Sequence, residues 1–337
     1  MTAINSVYRV ENKENAEGYT ERIFRFAVGK GGLLDLGQDR PLSRHLGCLP
    51  CMGSSAVEQD MNYKTVMVSL ALDRPNDACL AVAGDLAERF EARLVGIAAS
   101  DIKPALYFAE GEYAQKILDE ESKAIQRRLS ELEAEFRATA SKRTKTVEWR
   151  SALALPIPYV MQQSRAADIL VVSARSEVLV DPYVAADASD LVMQAGRPLI
   201  VVPPAVQWLD LRSVLIAWKD VREARRAVLD ALPILAAAKE VTVVEMPEED
   251  IGPAAALSHI EDVAGWLGCH GILANIVAPR ADAVTPVGEQ LDRMAADVGA
   301  GVVIAGAYGH SRFREWAFGG VTRHLAKKPS RCTFLSR

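Results

Sequence analysis

The chain has 337 residues, 50% of them apolar, which is enough for two ordinary cores at about 150 residues per domain. Its formal net charge of −5 gives no electrostatic reason to expect binding to nucleic acid or an anionic membrane. No apolar run approaches the roughly 20 residues that span a bilayer, and Arg9, Glu11, Lys13, Glu14, Glu17, Glu21, Arg22 and Arg25 stand where a signal peptide needs an apolar centre, so the expected location is cytoplasmic.

Residues 1–60 differ in texture from the rest of the chain. Turn-forming pieces at Gly29 to Gly32, Gly37 to Arg40 and Gly53 to Ser55 interrupt them, and neither a period of 2 nor of 3.6 is sustained. A disordered extension or an upstream start codon is expected there, with a regulatory tail as the alternative. The five cysteines, Cys48, Cys51, Cys79, Cys269 and Cys332, suggest no disulfide framework. Cys48-Leu-Pro-Cys51 lacks a second Cys-x-x-Cys to complete a zinc site and is read as incidental, so no metal is expected.

From Met61 onward the chain is written twice. Lys64 to Leu70 and Ser213 to Trp218 are apolar, β-branched runs suited to a first strand. Each leads through a polar turn, carrying Asp73 or Asp220, into an amphipathic helix. Second strands are expected at Arg93 to Ala98 and Glu240 to Val244. Helices follow at about Tyr113 to Ala140, rich in Glu, Lys, Arg and Leu, and at about Pro253 to Leu267. Third strands lie near Thr146 to Ser151 and Ile272 to Val277, fourth strands at Asp168 to Val172 and Gly301 to Ala305. The last are Leu199 to Val202 and Thr333 to Leu335, and Pro203-Pro204 marks the junction of the copies. Strands alternating with helices predict α/β units with doubly wound parallel sheets, whose ligands bind beyond the carboxyl ends of the strands.

The fourth strand of the second copy runs into Gly306-Ala-Tyr-Gly309-His310-Ser311-Arg312 and on to Gly319-Gly320-Val321-Thr322. Glycines at a strand-to-helix turn let main-chain N–H groups and a helix N-terminus face phosphate oxygens. The spacing is neither that of a P-loop nor that of the dinucleotide fingerprint. It resembles the glycine pattern of the universal stress protein family, and the likeness covers about Met61 to Arg337.

The resemblance implies two tandem five-stranded sheets of the adenine-nucleotide alpha-hydrolase-like type. It places a degenerate domain at 61–204 and a glycine-loop domain at 205–337. Because members pair through their last strands, it also implies a pseudo-dimer in which Leu199 to Val202 pairs with Thr333 to Leu335. ATP or another adenine nucleotide is implied for the C-terminal domain only, held by Asp220, Gly306, Gly309, His310, Ser311, Arg312, Gly319, Gly320, Val321 and Thr322. Relatives that bind ATP carry Ser or Thr where this chain has Gly320, and Thr322 is displaced by roughly 200° around a helix axis at 3.6 residues per turn. Shifting the four glycines back by 133 residues gives Ser173, Ser176, Ala186 and Asp187, so the first copy has lost the loop.

Several readings stay open. Asp220 either contacts a ribose or base, or caps the helix beginning near Arg222. His310, Ser311 and Arg312 are phosphate donors or ordinary polar loop residues. Arg323 and His324, one turn into the following helix, face solvent or a ligand. Trp218 stacks on a base or fills the pocket. No nucleophile or His-Glu-x-x-His signature occurs, so no catalytic residue is assigned, and no enzyme beyond slow ATP hydrolysis is expected. The resulting expectation is a stress-response binding and regulatory protein acting through an unidentified protein partner, with nucleotide binding weakened or lost. A homodimer is left open. The alternative is an ATP-binding switch, or weak ATPase, using the C-terminal domain alone.

Overall fold

Both sequence copies build the same five-stranded unit, because each of their strands is short, β-branched and flanked by helices that cover both faces. We describe the protein from a computed structural model, over residues 7–14, 20–27, 62–103, 112–175, 181–246, 253–279, 284–307 and 320–337. Two strands, β1 (Val7–Glu14) and β2 (Thr20–Ala27), precede the units. The first unit runs β3 (Thr65–Ser69), α1 (Asp77–Arg89), β4 (Arg93–Ser100), α2 (Glu112–Ala140), β5 (Val147–Leu153), α3 (Pro156–Ser164), β6 (Ile169–Ser173), α4 (Ala188–Gln194) and β7 (Leu199–Val202). The second runs β8 (Ser213–Trp218), α5 (Arg222–Asp230), α6 (Leu232–Ala237), β9 (Glu240–Glu245), α7 (Pro253–Cys269), β10 (Ala274–Val277), α8 (Val287–Asp297), β11 (Val302–Gly306), α9 (Gly320–Lys327) and β12 (Cys332–Ser336).

Among the described residues the strands form one sheet in the order β1-β2-β10-β9-β8-β11-β12-β7-β6-β3-β4-β5. Within each unit the pairing is parallel, as in Thr65↔Arg93 between β3 and β4 and Ser213↔Glu240 between β8 and β9. The units meet where β12 pairs antiparallel with β7, through Leu199↔Leu335, Ile200↔Phe334 and Val201↔Thr333. This is the pairing expected from the sequence, and each unit thereby covers the other's last edge. Val66, Val68, Ile200, Val202, Val214, Ile216, Phe334 and Trp218 share one apolar cluster with α1, α2 and α5 to α7, so a continuous core crosses the seam. Met67, Leu199, Leu215 and Leu335 face a second cluster under α3, α4, α8 and α9.

One expectation needs correcting. β1 and β2, in the part read as lacking regular structure, pair antiparallel from Val7↔Ala27 to Glu14↔Thr20, and β2 lies beside β10 at Ile276↔Arg22. The spans Val7 to Val10 and Ile23 to Phe26 are rich in β-branched and aromatic residues, which favour strands even where alternation is incomplete. Cys48 and Cys51 lie outside the described residues.

Candidate functional site

In each unit, connections leave the two central strands in opposite directions, so a crevice opens beyond their carboxyl ends. In the first unit that crevice lies past β3 and β6, and the chain itself fills it. Arg175, two residues after β6, is 5% exposed and donates to both carboxylate oxygens of Asp73, at 2.8 and 3.1 Å. Burial pushes the Asp73 carboxyl up, but the Arg175 hydrogen bond and charge, joined by the Arg74 charge and a main-chain hydrogen bond, hold the group below its ordinary value. What remains is a cavity of ≈ 20 Å³ bounded by Ser69, Ala71, Val172, Ser173 and Arg175, room for about one water. Open volume is found elsewhere, in a groove of ≈ 330 Å³ at the seam beside Tyr63, Arg197 and Leu229. Burial pushes the nearby Cys79 thiol up to about 12, so it is not a nucleophile at neutral pH.

The degenerate loop is also closed at its helix. Asp187 accepts from the Ser189 N–H at 2.8 Å and caps α4, so a carboxylate occupies the helix terminus that an anion would need. The same carboxylate binds Lys327 of α9 across the seam.

Replacing Arg175 with Met keeps an unbranched side chain but removes the charge. The expected cost is about 2 kcal/mol at pH 7, the range for hydrogen bonds to a charged group. Because the Asp73 pKa is lowered in the folded state, this contribution is fully present above the unfolded pKa near ~4 and is lost as pH falls through the lower folded value. Urea unfolding of the parent and Arg175→Met between pH 3 and 7 should therefore show a gap that narrows towards pH 3.

In the second unit the described candidates are Trp218, Asp220, Gly306, Gly320, Val321 and Thr322. Trp218 ends β8, is 9% exposed and packs in the apolar cluster, its indole N–H without a partner among the described residues. It takes the filling role rather than an open stacking position. Asp220 is exposed and binds the Arg225 side chain. The cap of α5 is Val221, with no side-chain hydrogen bond, so of the two readings of Asp220 the capping one is not taken. Glu223 lies in the first turn of α5, buried, with the Arg222 guanidinium on it.

Gly306 has a different reason from the one its motif suggests. A Cβ there would sit 2.5 Å from Ala224 N and 2.5 Å from Glu223 C, so the residue lets the end of β11 touch the first turn of α5. Gly320 opens α9 in space where a Cβ would meet nothing within 4 Å. Val321 packs on the second apolar cluster, and Thr322 is 6% exposed, buried with the helix face as its offset from Gly320 implied. Gly309, His310, Ser311, Arg312 and Gly319 lie outside the described residues.

The structure also brings together groups that sequence reading did not pair. Glu245, at the end of β9, is 2% exposed and shares a hydrogen bond with His259 Nδ1 of α7 at 3.1 Å, and it accepts from the Asp220 main-chain N–H. Burial raises the Glu245 pKa, the His259 contact opposes that rise, and the Asp220 charge adds to it. His324, read as facing solvent or a ligand, instead bonds Asp292 of α8 at 2.6 Å, and Ser330 donates to the other oxygen of Asp292 at 3.0 Å. Both side chains are used up in tying α9 to α8. Arg323 is exposed. Among the described residues, no group of three or more His, Cys, Asp and Glu could hold a metal ion, and no helix is long and apolar enough to cross a membrane.

No protein-family model matches the chain, and no curated protein matches its sequence. Solved structures do match its fold. A universal stress protein from Archaeoglobus fulgidus DSM 4304 is 13% identical and superposes with a TM-score of 0.59, over 81% of this chain and 96% of that one. A protein from Pseudomonas aeruginosa UCBPP-PA14 assigned to the universal stress proteins is 12% identical, with a TM-score of 0.52 over 82% and 94%. A universal stress protein in complex with cAMP is 19% identical and covers 43% of this chain and 99% of that one, with a TM-score of 0.28.

Proposed function

Because the chain carries the universal stress fold twice, we propose that it is a cytoplasmic stress-response protein of that kind, acting as a binding and regulatory partner of another protein rather than as an enzyme. The observation that carries this reading is the Arg175–Asp73 pair, which fills the first crevice and leaves ≈ 20 Å³. Among the described residues that leaves no room for an adenine nucleotide. In the second unit the described residues offer little to one: Trp218 lies in the core, Asp220 holds Arg225, and Gly320 supplies no hydroxyl. Nucleotide binding is on this reading weak or lost, and the regulatory output lies in what the surface engages.

A second reading, an ATP-binding switch confined to the second unit, is favoured by one observation. The first residue of α9, Gly320, stands in open space at a helix N-terminus, where anions are stabilised. Nucleotide content separates the two. Full-length protein, purified without added nucleotide and then denatured, is expected to release far less than one adenine nucleotide per chain. Release approaching one per chain would replace the first reading with the second.

A further inference from the structure

The strand β5 ends the sheet on the side of the first unit, as β10 ends the second unit's own five strands. The two edges are mates under the pseudo-twofold axis at the seam, yet they are treated differently. Beside β10 runs the antiparallel strand β2, whereas no described strand runs along the outer edge of β5.

The ladder tells which groups of β5 face outward. Leu94 N–H donates to Thr146 O at 2.9 Å, and Ala154 N–H donates to Ser100 O at 3.0 Å. Between these anchors a parallel ladder alternates, so Glu148, Arg150 and Ala152 turn their main-chain groups to β4, and Val147, Trp149, Ser151 and Leu153 turn theirs away. The strand is seven residues long and contains neither proline nor glycine. An edge of that length with a free row of donors and acceptors is a template for another strand.

We propose that this edge is a self-association edge, on which β5 of a second copy of the chain pairs antiparallel about a twofold axis at Trp149. Self-pairing of the outward residues allows few registers, and charge chooses among them. An axis at Arg150 puts Arg150 opposite its own copy. An axis at Ser151 puts Arg150 opposite Ala152. An axis at Trp149 puts Glu148 opposite the second copy's Arg150, and by symmetry Arg150 opposite the second copy's Glu148. Opposite charges across an antiparallel pair are favourable and like charges are not.

The two charged side chains are already set on one face of β5. Arg150 Nε lies 2.6 Å from Glu148 Oε1, and Arg93 lies 3.1 Å from Glu148 Oε2. The opposite face is held to the core by Trp149, whose ring lies 5.5 Å from that of Phe136. The pairing residues are therefore fixed before a second copy arrives. The interface is isologous, so it closes at two copies.

Sedimentation velocity of the full-length chain over a dilution series tests this. A monomer–dimer equilibrium is expected at micromolar concentration. Ser151→Pro removes an outward N–H without touching the ladder to β4, and it should weaken the dimer by about tenfold or more, ~1.4 kcal/mol. Arg150→Glu, which sets like charges opposite each other, should weaken it as well and serves if the proline variant does not fold. A monomer at every concentration would overturn the proposal. So would a dimer whose dissociation constant is unchanged in a variant that melts like the parent.

Discussion

Phe334→Ala is expected to lower the unfolding free energy by about 3–5 kcal/mol, the range for truncating a fully buried aromatic. Phe334 is 0% exposed and lies in β12, opposite Ile200 of β7, where the two units share their core. It belongs to an apolar cluster drawn from both units, so the cavity left behind is lined from both sides and cannot collapse by moving one helix. Urea unfolding followed by circular dichroism measures the shift. An unchanged slope with a lower midpoint would show that both halves still unfold together. A loss under about 1 kcal/mol would mean that the seam carries little of the packing.

Gly306→Ala should cost about 1–3 kcal/mol as an overpacking effect. The added methyl would press on main-chain atoms of Glu223 and Ala224, which cannot swing aside as a long side chain would. The glycine that looks in sequence like the start of a phosphate cradle is therefore required by the fold whether or not a ligand is bound. Gly320→Ala, in open space, serves as the contrast and should change stability by under about 1 kcal/mol. If Gly306→Ala melts like the parent, the contact with α5 is not tight and the motif regains its functional reading.

Much of the architecture was legible because buried parallel strands announce themselves as short β-branched runs. Leu199 to Val202 and Ser213 to Trp218 coincide with β7 and β8 to the residue. The hairpin of β1 and β2 was not, since its alternation is broken and its pairing partner, β10, lies some 250 residues away. The site was less readable than the fold for the same reason. Asp73 and Arg175 are separated by 102 residues, and nothing local marks them as partners. Glu245 closes an apolar strand and His259 sits inside an apolar helix, so only the tertiary approach of α7 to β9 pairs them. Asp187 was readable as the residue standing where the second copy has Gly320. Its second role, the bond to Lys327 of the other unit, was not.

That bond also gives the unlike halves a mechanical relation. The helix that follows the glycine loop, α9, is fixed to α8 through His324 and Asp292 and to the cap of α4 through Lys327 and Asp187. A shift of α9 would have to break a contact on each side. The unit that kept its glycines is thus braced by the unit that lost them.

One crevice is closed by Arg175, and the other is proposed to hold nucleotide weakly at best. Titration calorimetry of the full-length chain with magnesium and ATP, beside Gly309→Asp as a control, tests it most directly. No measurable binding heat and no thermal stabilisation are expected at millimolar ATP. Micromolar binding at one site per chain, abolished by Gly309→Asp, would contradict it, and at a hundredfold excess over the dissociation constant should stabilise the protein by about 2.7 kcal/mol.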